Sequence, residues 1–270
     1  IDGEPASEWF DRMCDQKGIA FSTALVIAQE RNDQQLDELP PIGQEDPAVA
    51  QWDEIPRDDG ETTRDVIHAT HQFAYVPSIR SHTNLVFDER PDFTVDLGQD
   101  DIRCMVNAYL QEIGAPVTNF ERFVTLAENE SMGTDASKEQ DALGDMLDRN
   151  TEVRPEWYID DPDAHALAPG IARAIWNALR WEDADRNNRM QATVHHEQPR
   201  FDADGERYNA GTWLSVVVDG DHNIRTVRAC PDLRDARAVI GLDAHPSMPM
   251  WQLNTVPDIA LGAVLEDTER

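Results

Sequence analysis

The chain has 270 residues, which is enough for one large domain or two small ones. It carries 53 Asp and Glu against 23 Lys and Arg, which gives a formal net charge of −30, and its only lysines are Lys17 and Lys138. Such a surface repels nucleic acid, nucleotides and anionic lipid at low ionic strength, while the 40% apolar content excludes disorder caused by low hydrophobicity.

The acidity is therefore interpreted as that of a folded protein that works in very high salt, where charge repulsion is screened within about 3 Å at 1 M. Dense Asp and Glu with almost no Lys resembles the composition of haloarchaeal cytoplasmic proteins. We expect a cytoplasmic protein of a high-salt cytosol, in which local arginine placement matters more for partners than net charge. No apolar run approaches the roughly 18 residues of a membrane span, so no membrane partner is expected.

The cysteines and the N-terminal third are considered next. Three widely spaced cysteines predict neither a disulfide framework nor a cysteine zinc site. Residues 2–27 have a helical pattern, with Trp9, Phe10 and Met13 at helical spacing. Residues 32–61 are polar and rich in proline, which predicts a long irregular connection.

Two short strands are predicted after this connection, over residues 65–70 and 84–87. A short helix or turn over residues 71–81 lies between them. Because two strands joined by a crossover are typical of a parallel sheet, we expect these two to be neighbours in an α/β core.

The middle of the chain has the 3.6-residue period of amphipathic helices. Four helices are predicted, over residues 100–113, 118–127, 134–147 and 163–181. Residues 100–182 are therefore expected to form an all-helical insertion. Five tryptophans are interpreted as packing in the core or the insertion: Trp157, Trp176, Trp181, Trp213 and Trp251.

Strand signals return in the last quarter. Residues 212–218 and 223–228 predict a β-hairpin with a Gly-containing turn, and residues 238–243 and 259–265 predict two more strands. The order indicates an α/β core interrupted by helices. The predicted division is residues 1–98 for the first part of the core with its Pro-rich connection, 99–210 for the helical insertion, and 211–270 for the hairpin and the return to the core.

The first candidate motif is the strand Asn84–Phe87 followed by Asp88 and Glu89. In P-loop nucleotidases, a buried strand ends in two carboxylates, of which the first binds the metal that bridges the phosphates and the second orients or deprotonates water. The alternative is a strand that runs out into solvent in a chain rich in acids. The sequence by itself leaves both readings open.

The second candidate motif is Val239-Ile240-Gly241-Leu242-Asp243-Ala244-His245-Pro246. An apolar strand here ends in a turn of small and polar residues. In helicases, a comparable strand lies beside the carboxylate strand and couples hydrolysis to movement. The alternative is an ordinary strand-to-helix turn in which Asp243 caps a helix and His245 is an exposed turn residue.

Together with residues 65–71, the two motifs resemble the middle of a superfamily 2 helicase of the Rad3/DinG type, a helicase-like P-loop ATPase. The resemblance implies a parallel-sheet nucleotidase core with a helical insertion, Mg²⁺ and ATP as cofactors, and DNA as a partner of the full-length protein. It implies Asp88 as the Mg²⁺ ligand through ATP and Glu89 as the catalytic residue. Asp243 and His245 would couple nucleotide state to nucleic acid.

The chain departs from that family in several places. The acid pair continues as Arg90-Pro91 instead of Ala-His, and no Gly-x-x-x-x-Gly-Lys-Ser/Thr occurs. The resemblance therefore implies that the phosphate loop precedes Ile1 and that the second motor domain follows Arg270, so residues 1–270 alone are expected not to hydrolyse ATP. Only Cys14 precedes the acid pair, so an iron–sulfur cluster is not expected.

Arginine and histidine residues are further candidates for a functional site. Arg80 and Arg90 flank the acid pair and are predicted either to touch phosphate or DNA or to form surface ion pairs. His195-His196-Glu197 is assigned to a polar loop, where a metal-ligand role lacks the i, i+4 helical spacing of zinc proteases. The alternative for the whole chain is a non-enzymatic acidic α+β binding or structural protein of a halophile or its virus.

Overall fold

The computed structural model describes residues 1, 3–33, 57–58, 61–62, 66–128, 133–149, 152–180, 189–201, 207–242 and 251. Within these ranges the chain is a mixed α/β protein. It has a pair of parallel strands, a three-stranded antiparallel sheet and an antiparallel pair whose two strands have two residues each. The prediction of a protein with both helices and a parallel strand pair is confirmed. No helix in these ranges combines the length and the apolar composition that a membrane crossing requires.

The N-terminal residues with the helical pattern form two helices. Helix α1 spans Ala6–Asp11 and runs into a π-helical turn over Arg12–Gln16, and α2 spans Phe21–Asp33. Gly18 separates them with φ +65°, a left-handed conformation that glycine adopts without steric cost. Trp9 lies on the predicted apolar face and is fully buried.

The region before the acid pair differs from expectation. Strands β1 (Arg57–Asp58) and β2 (Glu61–Thr62) pair antiparallel at the end of the stretch predicted to be irregular, of which residues 34–56 and 59–60 lie outside the described part. The strand predicted over residues 65–70 is wrong where it is described, since residues 66–70 form no strand and Val66 is 71% exposed. The apolar residues of this segment are not enough to form a strand, because a strand also needs a neighbour for its backbone hydrogen bonds.

The predictions that follow it are confirmed. A 3₁₀ turn spans His71–Tyr75, helix α3 spans Pro77–Arg80, and strand β3 spans Asn84–Phe87. The parallel partner of β3 is not residues 65–70 but strand β7, Ala238–Gly241.

The four predicted helices of the middle region are present. Helix α4 spans Gln99–Glu112, α5 spans Phe120–Glu128, α6 spans Thr134–Arg149 and α8 spans Ala168–Leu179, while a short α7 spans Trp157–Asp160. Helix α8 is buried on nearly all sides, because it packs on the antiparallel sheet and is contacted by α4, α5 and α6.

The antiparallel sheet has the order β4-β5-β6, with β4 over Arg189–Phe201, β5 over Arg207–Asp219 and β6 over Ile224–Pro231. The predicted hairpin between β5 and β6 is confirmed, and the strand predicted over residues 259–265 lies outside the described residues. Strand β4 was missed: residues 189–201 were placed within the helical insertion, whose predicted boundary at residue 210 therefore falls inside the sheet. The apolar signal of β4 is weak because His196 and Gln198 occupy two of its buried positions.

The described residues form two hydrophobic cores. The main core lies between α8 and one face of the sheet and includes the other helices of the middle region. The second core joins the β3–β7 pair to the opposite side of the sheet; its buried members are Ala74, Phe87, Phe93, Cys230, Leu233 and Trp251. The packing role predicted for the tryptophans holds for Trp157, Trp176 and Trp251, which are buried, and for Trp213, which is partly buried against the second core, while Trp181 lies outside the described residues.

Candidate functional site at the parallel strand pair

The parallel pair brings the two candidate motifs to one edge. Strand β3 runs in register with β7 from Asn84↔Ala238 to Phe87↔Gly241. The backbone N–H of Leu242 then donates to the carbonyl of Phe87 at 2.8 Å. Asp88 therefore leaves β3 at the edge where Leu242 leaves β7. Asp243 and His245 follow Leu242 but lie outside the described residues.

The acid pair is open to solvent. Asp88 and Glu89 are both exposed, and no hydrogen bond or ion pair joins either carboxylate to another described residue. Carboxylate oxygens are the donors that Mg²⁺ takes in nucleotide sites, where it keeps waters and adds phosphate oxygens. The pair therefore fits the group that the resemblance implies. Within the described ranges, the acid pair included, no cluster of three or more His, Cys, Asp or Glu is arranged to hold a metal ion.

The strand ends beneath the acid pair are held by aromatic packing. Phe87 is buried, and the His71 ring meets it edge-on with centroids 5.6 Å apart. On the neighbouring strand, Trp251 covers Gly241 so closely that a Cβ there would lie 2.5 Å from its ring. The backbone at this edge is thus fixed, while both carboxylates are exposed.

The segments that lead into the two strands are bonded to each other. The buried Arg80 donates from Nε to Asp235 Oδ1 at 2.8 Å, and Ser81 Oγ donates to Asp235 Oδ2 at 2.6 Å. The N–H of Arg237 donates to the carbonyl of Thr83 at 2.8 Å. These bonds set the register of β3 against β7. They also correct the surface position expected for Arg80, which is buried and forms its ion pair with Asp235.

The segment that leaves the acid pair is bonded as well. Thr94 donates to Asp92 from its hydroxyl at 2.6 Å and from its N–H at 2.9 Å, and these bonds lower the pKa of Asp92. Residues 93–95 then run along the free edge of β6: Ala229 N–H donates to the Phe93 carbonyl and Val95 N–H to the Val227 carbonyl. The acid pair therefore lies between two hydrogen-bonded anchors.

Two further predicted groups are placed by the structure. Arg90 is exposed beside the acid pair. His195, His196 and Glu197 lie on β4 and not in a loop, which corrects that prediction. Neighbouring strand residues point to opposite faces, so His196 is buried against the carbonyl of Ala166 while His195 lies on the other face, 3.1 Å from Asp232.

Sequence reasoning missed Asp235 and the strand-like residues 93–95. Nothing in the neighbouring sequence marks either of them, because their partners Arg80 and β6 are far away in the sequence. Comparison with protein-family models, with curated proteins and with solved structures finds no match. A function for the chain therefore has to rest on the chemistry of its own residues.

Proposed function

We propose that this chain is a segment of an ATP-dependent, helicase-like P-loop motor, in which the Asp88-Glu89 pair serves Mg–ATP. The observation that carries the proposal is the parallel pairing of β3 with β7. The carboxyl edge of parallel strands is where α/β proteins bind nucleotides. Two motifs that the resemblance assigns to neighbouring strands of one motor are neighbours here, although most of the chain separates them.

The connectivity supports the same proposal. The chain leaves β3 at Asp88 and returns to its partner strand only at Ala238. The residues between build most of the main core, with their own helices and antiparallel sheet, and the N-terminal helices α1 and α2 complete it through residues such as Trp9, Met13 and Ala24. Such an arrangement is that of a domain inserted between two adjacent strands of a nucleotidase core, and we propose this architecture for the chain.

The roles follow from the chemistry of each side chain. When bound, Mg–ATP supplies the transferable phosphoryl group and the cation that neutralises its charge. Asp88 would hold the cation through a carboxylate oxygen. Glu89 would orient the attacking water and accept its proton. Asp243 and His245, beyond the end of β7, would relay the nucleotide state to bound DNA.

A second candidate is a non-enzymatic acidic binding protein, and one observation favours it. Val86, Ile240 and Leu242 expose 57%, 45% and 48% of their surface, and the register puts Val86 and Ile240 side by side. Parallel sheets are normally covered on both faces, so this apolar face has the character of an interaction surface. In the motor, the same face would be covered by the rest of the nucleotidase core.

The deciding experiment is the ATPase activity of the full-length protein in molar KCl with Mg²⁺. Glu89→Gln is expected to lower turnover at least about 100-fold, the contribution typical of general base catalysis, while ATP binding persists. Asp88→Asn is expected to weaken Mg–ATP binding. Glu121→Gln, the same chemical change at an exposed position of α5, is the matched control and should leave turnover unchanged. Wild-type turnover in the Glu89→Gln protein would rule out the motor and favour the binding protein.

A further inference from the structure

Only one of the two edges of the antiparallel sheet is covered by a described strand-like segment. Along the edge of β6, residues 93–95 are bonded to the sheet through the carbonyl of Phe93 and the N–H of Val95. The opposite edge belongs to β4, which runs for 13 residues without a register shift against β5. No strand in the described ranges pairs with β4 on this side. An open edge of this length is a template for pairing with another strand.

Two contacts show which backbone groups of β4 point to this edge. Thr23 of α2 donates from Oγ1 to the carbonyl of Pro199 at 2.8 Å, and Arg173 of α8 donates to the carbonyl of His195. Both donors lie on helices outside the sheet. Because successive residues of a strand direct their backbone groups to opposite edges, the odd-numbered residues of β4 direct theirs away from β5.

The open part of this edge is residues 189–197. The outward backbone groups of its odd-numbered residues receive no hydrogen bond from a described residue, apart from the carbonyl of His195, which keeps a second acceptor site. Proteins commonly protect edge strands with lysine, proline or a bulge. This stretch has none of them, and its only charged side chains other than histidine are Arg189 and Glu197, at its two ends.

The open stretch is complementary to itself when two copies run antiparallel. Placing Thr193 opposite Thr193 of a second copy brings Arg189 opposite Glu197 at both ends. The outward-directed residues then face one another as hydrogen-bonded pairs, which is the geometry that an antiparallel ladder requires. Opposite charges directly across a ladder stabilise it. A shift of the second strand by two residues in either direction separates both pairs of charges.

The side chains on the inner face of β4 fit the same register. Met190 and Ala192 are only partly buried, although both pack against the main core. In the centred pairing, Met190 lies opposite His196 of the second copy and Ala192 lies opposite Val194. The apolar surface that the open edge leaves exposed is therefore covered by the second strand.

We propose that this chain forms a two-fold dimer in which β4 pairs antiparallel with β4 of a second copy over residues 189–197. The pairing joins the two antiparallel sheets into one. A second copy is favoured as the occupant because both charges of the stretch find their partners in the same stretch. The net charge of −30 on each copy opposes association, but molar salt screens it within about 3 Å. The dimer does not depend on the motor assignment.

The test measures the mass of the full-length protein in molar KCl by sedimentation velocity, at concentrations up to about 100 µM. The wild type is expected to shift from monomer to dimer as its concentration rises. Thr193→Pro removes the N–H at the centre of the pairing and should raise the dissociation constant at least about 10-fold. Proline is tolerated on an edge strand where the N–H faces outward. Thr193→Val keeps this N–H and is the control.

A charge exchange tests the register. Arg189→Glu brings two carboxylates together at each end of the pairing, and Glu197→Arg brings two guanidinium groups together, so each variant alone should raise the dissociation constant at least about 10-fold. An equal mixture of the two variants should dimerise as tightly as the wild type, because both ends then join opposite charges. Arg149→Glu makes the same charge change at an exposed position of α6 and should leave the dimer unchanged.

The mixture also separates pairing from folding, since a misfolded variant cannot restore the dimer. Thermal unfolding in the same buffer checks each variant by itself. Three outcomes would overturn the proposal: monomer mass for the wild type at every concentration, a dimer that Thr193→Pro leaves intact, or a mixture of the two charge variants that stays monomeric.

Discussion

Leu242 donates its backbone N–H to the carbonyl of Phe87 at 2.8 Å, which closes the parallel ladder between β3 and β7 at its carboxyl end. The residue after Phe87 is Asp88, and the residue after Leu242 is Asp243. One hydrogen bond therefore couples the exits of both candidate motifs. The proposed motor would need such a link between its acid pair and its coupling segment.

The bond between Arg80 and Asp235 predicts unequal effects for the two arginines near the acid pair. Arg80 is only 5% exposed and donates to both Asp235 and the carbonyl of Ala74, so Arg80→Gln should lower the free energy of unfolding by about 2 kcal/mol. Arg90→Gln, at an exposed position, should change it by less than about 0.5 kcal/mol. Denaturant unfolding at fixed KCl measures both, and equal effects would contradict the structural role of Arg80.

Gly170 is the place where α8 approaches the sheet most closely. A Cβ on this residue would lie 2.2 Å from Leu214 Cδ1 and 2.9 Å from His196 Cγ. Gly170→Ala should therefore cost about 1–3 kcal/mol in overpacking, which exceeds the gain of roughly 1 kcal/mol that alanine brings to a helix. Gly133→Ala is the control, because nothing lies within 4 Å of its Cβ position. A melting temperature of the Gly170→Ala protein at or above that of the wild type would show that the two layers are looser than described.

Two buried histidines predict a loss of stability in mild acid. Burial lowers the pKa of His165 and of His196 to about 4 from the ordinary 6.5. Because the folded pKa lies below the unfolded one, the unfolded chain binds these protons first. The stabilising contribution is therefore complete above pH 6.5 and is lost as pH falls toward 4, by about 3 kcal/mol for each histidine.

The measurement is the free energy of unfolding between pH 6.5 and pH 5, where most carboxylates stay ionised. His196→Gln removes one of the two groups and should reduce the slope in this window by about half. The comparison concerns the slope alone, so a variant that is less stable at every pH still tests the prediction. An unchanged slope would mean that His196 does not take up a proton on unfolding.

Much of the secondary structure could be predicted from local patterns. The helices α4, α5, α6 and α8 follow from their apolar period, and β3, β7 and the β5–β6 hairpin follow from short apolar runs and turn residues. Strand β4 could not be predicted, because its buried positions include His196 and Gln198. His196 is buried beside Gly170 of α8 and bonds to the carbonyl of Ala166, and both of these partners are distant in the sequence.

The sequence by itself determined the elements whose signal is local: the helix periods, the hairpin turn, and the strand that ends in Asp88 and Glu89. Only the tertiary structure decided which strands pair and which charges are partners. Residues 65–70 lost the predicted place beside β3 to residues 238–241, and Arg80 became the buried partner of Asp235. The physical reason is that sheet pairing and ion pairing depend on distance in space. Helix and turn propensities depend on neighbours within a few residues.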